Sequence, residues 1–349
     1  MTTVRVAVNG YGVIGKRVAD AVLAQPDMEL AGIADVATDW RIKTAIGRAP
    51  IYAATAETAA GMADAGVEVA GTLHELLHSA DIVVDTTPKH VAAGNVAHYR
   101  EHGVKFILQG GESHKTTGHS FVAQANYASA IGRDSTRVVS CNTTSIVRVL
   151  GALRDAGLLL RARGVLIRRA TDPWESHEGG IMNTLVPEPV IPSHQGPDAQ
   201  TVVPDLDLVT IAAKGAHTQT HSHFWTIQLT RQATREEVLD AFRKAPRIAF
   251  IRMSDGLVAL NSTIELMRDL GRPRGDMWEV ALWEDLVTVQ GDELFLTYQV
   301  FNEAIVVPET IDAIRALTGL APDAAASMTI TDATFGMRKE FLAAGGGTA

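Results

Sequence analysis

The first fifteen residues restrict the fold more than any other stretch. An apolar run, Val4–Val8, leads into Gly10-Tyr11-Gly12-Val13-Ile14-Gly15, and an apolar helical stripe continues from Val13 to Leu23. Strand, three spaced glycines and helix together form the dinucleotide fingerprint. The glycines permit a tight turn and close main-chain approach, and the free N–H groups at the helix start face a pyrophosphate. The next apolar run, Leu30–Ala34, ends at Asp35, 20 residues past Gly15. A carboxylate there accepts hydrogen bonds from the adenine-ribose hydroxyls and repels a 2′-phosphate, which favours NAD over NADP.

The alternation continues to residue 140. Ile82–Val84, Phe106–Leu108 and Val138–Val139 are short apolar runs, and Lys16–Leu23, Leu73–His78 and Val91–Tyr99 have helical spacing. This predicts an α/β fold with a Rossmann-type doubly wound parallel sheet. Thr86-Thr87-Pro88 and Gln109-Gly110-Gly111 follow strands at the carboxyl ends of the sheet, where ligands bind. Beyond Cys141 the runs lengthen: Val165–Arg169, Leu208–Ala212, His223–Leu229, Ile248–Ile251, Val280–Val287 and Leu294–Phe301, with helical patterns at Arg235–Arg243 and Thr263–Leu270 and a hairpin turn at Gly291-Asp292. That texture predicts an α+β catalytic domain with a mixed or antiparallel sheet. The expected division is a cofactor domain over 1–140, a catalytic domain over 141–302, and a C-terminal helix within 303–349 returning to the first. The Pro-, Gly- and His-rich stretch from Asp172 to Asp205 is long for a plain connection, and such loops are often functional.

A chain of 349 residues suits two domains. Its net charge of −9 argues against a general nucleic-acid binder but leaves room for a local basic pocket. Cys141 is the only cysteine, which excludes an internal disulfide and points to a reducing, cytoplasmic setting. The first strand follows Met1-Thr2-Thr3 directly, leaving no room for a signal peptide, and no apolar run of about 18 residues marks a membrane span.

Cys141 lies between a strand end, Arg137–Ser140, and a helical pattern capped by Asn142, Thr143 and Thr144. A thiol at the positive end of a helix dipole ionises more readily, and the thiolate is the reactive form. The bland alternative is a buried apolar cysteine. A nicotinamide site with one activated thiol points to aldehyde oxidation through a hemithioacetal and a thioester. The base would come from His217-Thr-Gln-Thr-His221-Ser-His223, where strand alternation puts His221 and His223 on one face. Spacing does not choose between them. A His-x-His metal pair is the rival reading, but no further ligand set accompanies it, so no metal is expected.

These motifs recur with Ala80–Asp85, Gln109-Gly110-Gly111-Glu112, Ser140-Cys141-Asn142-Thr143-Thr144, Arg168-Arg169, Asp172-Pro173, Pro192-Ser193-His194, Gly196-Pro197-Asp198 and Val307-Pro308-Glu309. With them the chain resembles, nearly end to end, the archaeal-type (type II) phosphorylating glyceraldehyde-3-phosphate dehydrogenases. The resemblance implies oxidation of glyceraldehyde 3-phosphate with phosphate and NAD(P) to 1,3-bisphosphoglycerate, in a homotetramer. It places the nucleophile at Cys141 and the catalytic histidine at His221, which would take the thiol proton and later the hemithioacetal proton. Cofactor contacts fall on Asn9, Gly10, Tyr11, Gly12, Val13, Ile14, Asp35, Thr87, Gln109, Gly110 and Asn302. Substrate and phosphate contacts fall on Asn142, Thr143, Arg168, Arg169 and His194. The forked guanidinium suits phosphate, although only one of two adjacent strand arginines would face a given site. The chain departs from the family pattern at Asp35, Ser145, Gln195, His217 and Asn302. These departures leave the thiol chemistry intact and bear on substrate identity. A related phosphorylated or phosphonylated aldehyde, semialdehyde-type reduction of an acyl phosphate, and a nucleotide-sensing module without turnover are the alternatives.

Overall fold

A computed structural model describes residues 3–109, 111–172 and 185–342. The chain forms two compact units: Met1–Ser140 with Val306–Gly336, and Cys141–Ile305 with the segment from Met337.

The first unit is built on eight parallel strands: β1 (Val4–Asn9), β2 (Met28–Asp35), β3 (Ile51–Ala53), β4 (Gly71–Thr72), β5 (Ile82–Asp85), β6 (Lys105–Gln109), β7 (Ser120–Phe121) and β8 (Ser135–Val138). Their spatial order is β4-β3-β2-β1-β5-β6-β8-β7. The order reverses between β1 and β5, which opens a crevice at their carboxyl ends, where α/β sheets bind ligands. Strands β1 and β5 are buried except at Arg5 and mostly apolar, because helices cover both faces. Two short strands, β3 and β4, have no sequence signal of their own; they form by pairing at the sheet edge.

The C-terminal segment returns to this unit as two helices, Val306–Thr318 and Ala324–Phe335, rather than one. Arg315 is fully buried and anchors the first of them. Its guanidinium donates to both carboxylate oxygens of Asp27 at 2.8 Å, to Gln25 Oε1 at 2.7 Å and to Thr331 Oγ1 at 2.6 Å. From Met337 the chain belongs instead to the second unit. There Arg338 N donates to Glu279 Oε1 at 2.9 Å, and Lys339 O accepts from Phe250 N at 2.8 Å.

The second unit holds a mixed sheet: β9 (Leu159–Arg168), β10 (Val186–Pro187), β11 (Leu208–Lys214), β12 (His221–Leu229), β13 (Ile248–Ile251), β14 (Val280–Trp283), β15 (Thr288–Gln290) and β16 (Glu293–Val300). The order is β10-β11-β9-β12-β16-β14-β13, with β15 paired to β16 across the two-residue turn Gly291-Asp292. Strands β9 with β11 and β13 with β14 run parallel, and the other pairs are antiparallel. The long helix Cys141–Asp155 is buried from Asn142 through Leu150 and begins at the cysteine itself. Among the described residues no helix is long and apolar enough to cross a membrane.

Candidate active site

The fingerprint loop fits a dinucleotide by its backbone. Gly10 has φ of 92°, and a Cβ there would press on Thr87 N and Thr86 at 3.0–3.1 Å. A Cβ on Gly15 would lie 1.9 Å from Gly10 O. Gly12 differs, with nothing within 4 Å of its Cβ position, and it caps the helix Val13–Ala24 without a side-chain hydrogen bond. The helix thus starts beside open space at Gly12, and its first N–H groups, at Val13 and Ile14, are of the kind that hold a pyrophosphate.

Asp35, at the end of β2, accepts from Val36 N and Ala37 N at 2.7 Å and from Tyr11 N by a short contact. It thus fastens the loop while holding a negative charge beside it. Of the neighbouring cations, Arg41 is chelated by Asp39 at 2.7–3.0 Å and also feels the Asp35 charge, and Lys16 Nζ lies 4.3 Å from the Trp40 ring centroid. Asn9 is buried, and its amide donates to Tyr99 Oη at 2.8 Å, which in turn donates to Asp85 at 2.6 Å. Asp85 also takes the N–H and hydroxyl of Thr87 at 2.9 and 2.6 Å. Asn9 and Thr87 thus brace the ends of β1 and β5. Gln109 donates its amide to Thr310 and keeps a buried Oε1 without a partner. Gly110 lies outside the described residues.

In the second unit Cys141 Sγ lies 3.5 Å from His221 Nε2, two residues 80 positions apart in sequence. His221 opens β12, and its Nδ1 accepts the main-chain N–H of Arg169 at 3.0 Å. An accepting Nδ1 puts the ring proton on Nε2, aimed at the sulfur. Burial holds His221 well below its ordinary pKa, and the charges of Arg169 and Arg168 push the same way. These effects favour the neutral imidazole.

The other histidine of the pair does different work. His223 donates Nε2–H to Asn142 Oδ1 at 2.8 Å and takes the Tyr298 hydroxyl on Nδ1 at 2.9 Å, while Trp225 Nε1–H donates to the same hydroxyl at 3.0 Å. Burial pushes its pKa down to about 3. It fixes Asn142, the residue after Cys141, from behind.

The helix start does not acidify the thiol as expected. Loss of water raises the Cys141 pKa, outweighing Arg169, Arg168 and the N–H groups of Asn142 and Cys141, which lower it. The magnitudes explain why. A helix end contributes about 0.3–1 kcal/mol, less than one pKa unit, whereas desolvation, up to about 3–5 units for a fully buried group, remains the larger effect at this half-buried residue.

The two arginines both act on the sulfur because β9 stops at Arg168 and strand alternation does not bind Arg169. Each is paired with a carboxylate: Arg168 with Glu188, and Arg169 with Asp172 at 2.5 Å. Their Nε atoms are buried without partners. Glu188 also takes His194 Nδ1 at 3.1 Å and Gln195 Nε2 at 3.2 Å, which places His194 with Arg168. Thr143 is committed to Asp198 at 2.7 Å. Asn302 donates to Glu303 at 3.2 Å, and its Oδ1 is buried and unpartnered. So is His217 Nε2, at a position that departs from the family pattern. The sequence carries no signal for Glu188 as the hub of the basic group, nor for the Arg169 N–H that sets the His221 tautomer.

A parallel sheet with this loop at its switch point, and a thiol beside an imidazole at a helix start, define a nicotinamide-dependent oxidoreductase. Residues 4–143 match the family model for the N-terminus of dihydrodipicolinate reductase, and residues 140–270 match that for the C-terminal domain of glyceraldehyde 3-phosphate dehydrogenase. Proteins named glyceraldehyde-3-phosphate dehydrogenase are similar over nearly the whole chain. That of Pyrobaculum calidifontis is 47% identical over 91% of this chain and 93% of its own length. Those of Methanococcoides burtonii and Archaeoglobus fulgidus are each 43% identical, over 97% and 98% of this chain and 100% of their own. The chain belongs to the glyceraldehyde-3-phosphate dehydrogenase family.

Proposed function

We propose that the protein oxidises glyceraldehyde 3-phosphate with inorganic phosphate and NAD, through a thioester on Cys141, with residues 1–140 serving the cofactor and the second unit the chemistry. The observation that carries this reading is the 3.5 Å contact between Cys141 Sγ and His221 Nε2; the charges of Arg168 and Arg169 both favour the thiolate.

The tautomer revises the part given to His221. A neutral ring that accepts at Nδ1 has no lone pair at Nε2, so it donates to the sulfur rather than taking its proton. The thiol proton leaves to solvent, and Nε2–H with the arginine charges stabilises the thiolate. Addition of the thiolate to the aldehyde carbon gives an alkoxide, which the same Nε2–H holds as an oxyanion donor. A bound nicotinamide supplies the acceptor for the hydride that leaves this carbon. The alkoxide collapses to the thioester without a base. Phosphate dianion then attacks the carbonyl, the thiolate leaves toward Nε2–H, and the phosphate O–H proton goes to solvent. Arg168 and Arg169 would exchange their carboxylate partners for the two phosphate groups, assisted by His194 and Asn142.

The carboxylate of Asp35 supports NAD as the preferred cofactor, since it sits where a 2′-phosphate would meet like charge. Val165, Ile211 and Phe224 leave an apolar patch of the second sheet exposed, which supports self-association toward a homotetramer. Phe224→Asp should lower the mass measured by light scattering. The single cysteine supports a reducing, cytoplasmic setting.

The test is NADH formation from glyceraldehyde 3-phosphate with and without phosphate, in the native chain and in Cys141→Ser. Steady turnover should require phosphate and vanish in the variant. Equal rates without phosphate, or turnover by Cys141→Ser, would overturn the reading.

A further inference from the structure

Four of the chain's 12 histidines stand on two neighbouring helices of the first unit, and the reactions above use none of them. His74 and His78 are one turn apart on the helix Leu73–Ser79. His98 and His102 are one turn apart on the helix Val91–Glu101 and its C-terminal cap. The inward positions explain the arrangement. Leu73, Leu76 and Leu77 of the first helix and Ala92, Val96 and Tyr99 of the second enter one apolar core. The i, i+4 histidines are therefore left on the outer faces, side by side.

The rings converge. Ring centroids of His74, His78 and His102 lie 4.5–5.0 Å apart, and one ring nitrogen of each lies within 4.8 Å of the others. Their protons are already sorted. His78 Nδ1 lies 2.8 Å from His74 O and His102 Nδ1 lies 2.8 Å from His98 O. A main-chain carbonyl only accepts, so each Nδ1 carries the proton and each Nε2 presents a lone pair. Carbonyl partners of this kind fix tautomer and ring orientation in histidine metal ligands. His102 Nε2 takes its hydrogen bond from His74 Nδ1 at 2.8 Å. Moving that one proton from His74 Nδ1 to His74 Nε2 leaves each of the three rings with a nitrogen lone pair, and one ring nitrogen of each lies within 4.8 Å of the others.

We propose that His74, His78 and His102 form a binding site for a divalent first-row transition metal of the Zn²⁺ class. Three neutral imidazoles match that class and not Mg²⁺ or Ca²⁺, which take oxygen ligands. Zn–N bonds of about 2.0–2.1 Å put tetrahedral ligand atoms about 3.3 Å apart. The His74–His102 contact opens by about half an ångström to reach this, and the wider gaps close by side-chain rotation. Of the nearby carboxylates, Glu75 is hydrogen-bonded to Thr72 N at 2.6 Å, and Glu101 lies 4.0 Å from His98, outside the trio. The fourth position is left to water. The ion would clamp two crossover helices that flank β5, adding a cross-link the apolar core does not supply. This revises the expectation of no metal. The signal is in the sequence as two His-x₃-His pairs in separate helical patterns, invisible until the sheet order sets those helices side by side.

The test is titration of the untagged full chain with Co²⁺, following its d–d absorption, then displacement by Zn²⁺, together with the thermal unfolding midpoint. One tetrahedral Co²⁺ per chain is expected, and it should persist in Cys141→Ser. His78→Ala and His102→Ala should each weaken binding at least about tenfold and abolish the metal-induced rise in midpoint, with dehydrogenase turnover unchanged. His102→Asn, which keeps a polar helix cap, should do the same. Co²⁺ binding lost in Cys141→Ser but intact in His78→Ala and His102→Ala would overturn the assignment, as would the absence of d–d bands in the native chain.

Discussion

The fingerprint loop and the thiol site are built in opposite ways. In the loop, six consecutive residues supply the shape, and what matters is the backbone: a Cβ at Gly15 would overlap Gly10 O, whereas one at Gly12 would meet nothing. The thiol site is a set of side chains drawn from distant segments. Cys141 begins a helix, His221 begins a strand, and Arg169 follows another strand. A contiguous motif fixes its own geometry. An assembled site takes its geometry from the sheet, and small main-chain details decide its chemistry. The Arg169 N–H is such a detail, since it selects the proton position on His221.

The largest effect should come from the assembled site. His221→Ala removes the Nε2–H donor and should lower kcat about 10²–10³-fold, the cost of losing one oxyanion donor. His221→Gln, whose amide can donate from a similar position, should recover part of that loss in steady-state assays. Equal loss in both variants would return His221 to the role of base. At the loop, a smaller and different effect is expected. Asp35→Ser removes a like charge from the 2′ position and should shift the ratio of kcat/KM for NADP over NAD upward by about tenfold or more. An unchanged ratio would mean that the loop backbone alone sets the preference.

The smallest effect is a pH dependence. Burial raises the Cys141 thiol, so its reactive thiolate accumulates only as pH rises. Iodoacetamide alkylation should still be accelerating at about pH 8.5, the ordinary thiol value. Arg169→Ala removes a charge that lowers the pKa and should slow alkylation at neutral pH. A plateau below pH 7 would show an acidified thiol and reverse the balance argued here.

The two constructions also explain what could be read from the chain. Val4–Val8, the glycines and Asp35 sit together, so strand, loop and acid are legible as one unit. Ile248–Ile251 and the Gly291-Asp292 turn are equally local and appear where the pattern places them. The strands Ile51–Ala53 and Gly71–Thr72 are too short to show periodicity and form only by pairing at an edge. Strand alternation puts His221 and His223 on one face but cannot separate them. Their difference lies in partners 52 to 81 residues away: Arg169 for one, Asn142 and Tyr298 for the other. Glu188, which gathers Arg168, His194 and Gln195, is equally silent in sequence.

The central claim is a covalent bond to one sulfur. The direct measurement is to mix the enzyme with glyceraldehyde 3-phosphate and NAD in the absence of phosphate, quench, and weigh the peptides. The account predicts a burst of about one NADH per chain, an acyl adduct on the Cys141 peptide, and release of that adduct when phosphate is added. Sustained NADH production without phosphate, or a burst that leaves the Cys141 peptide at its native mass, would contradict it.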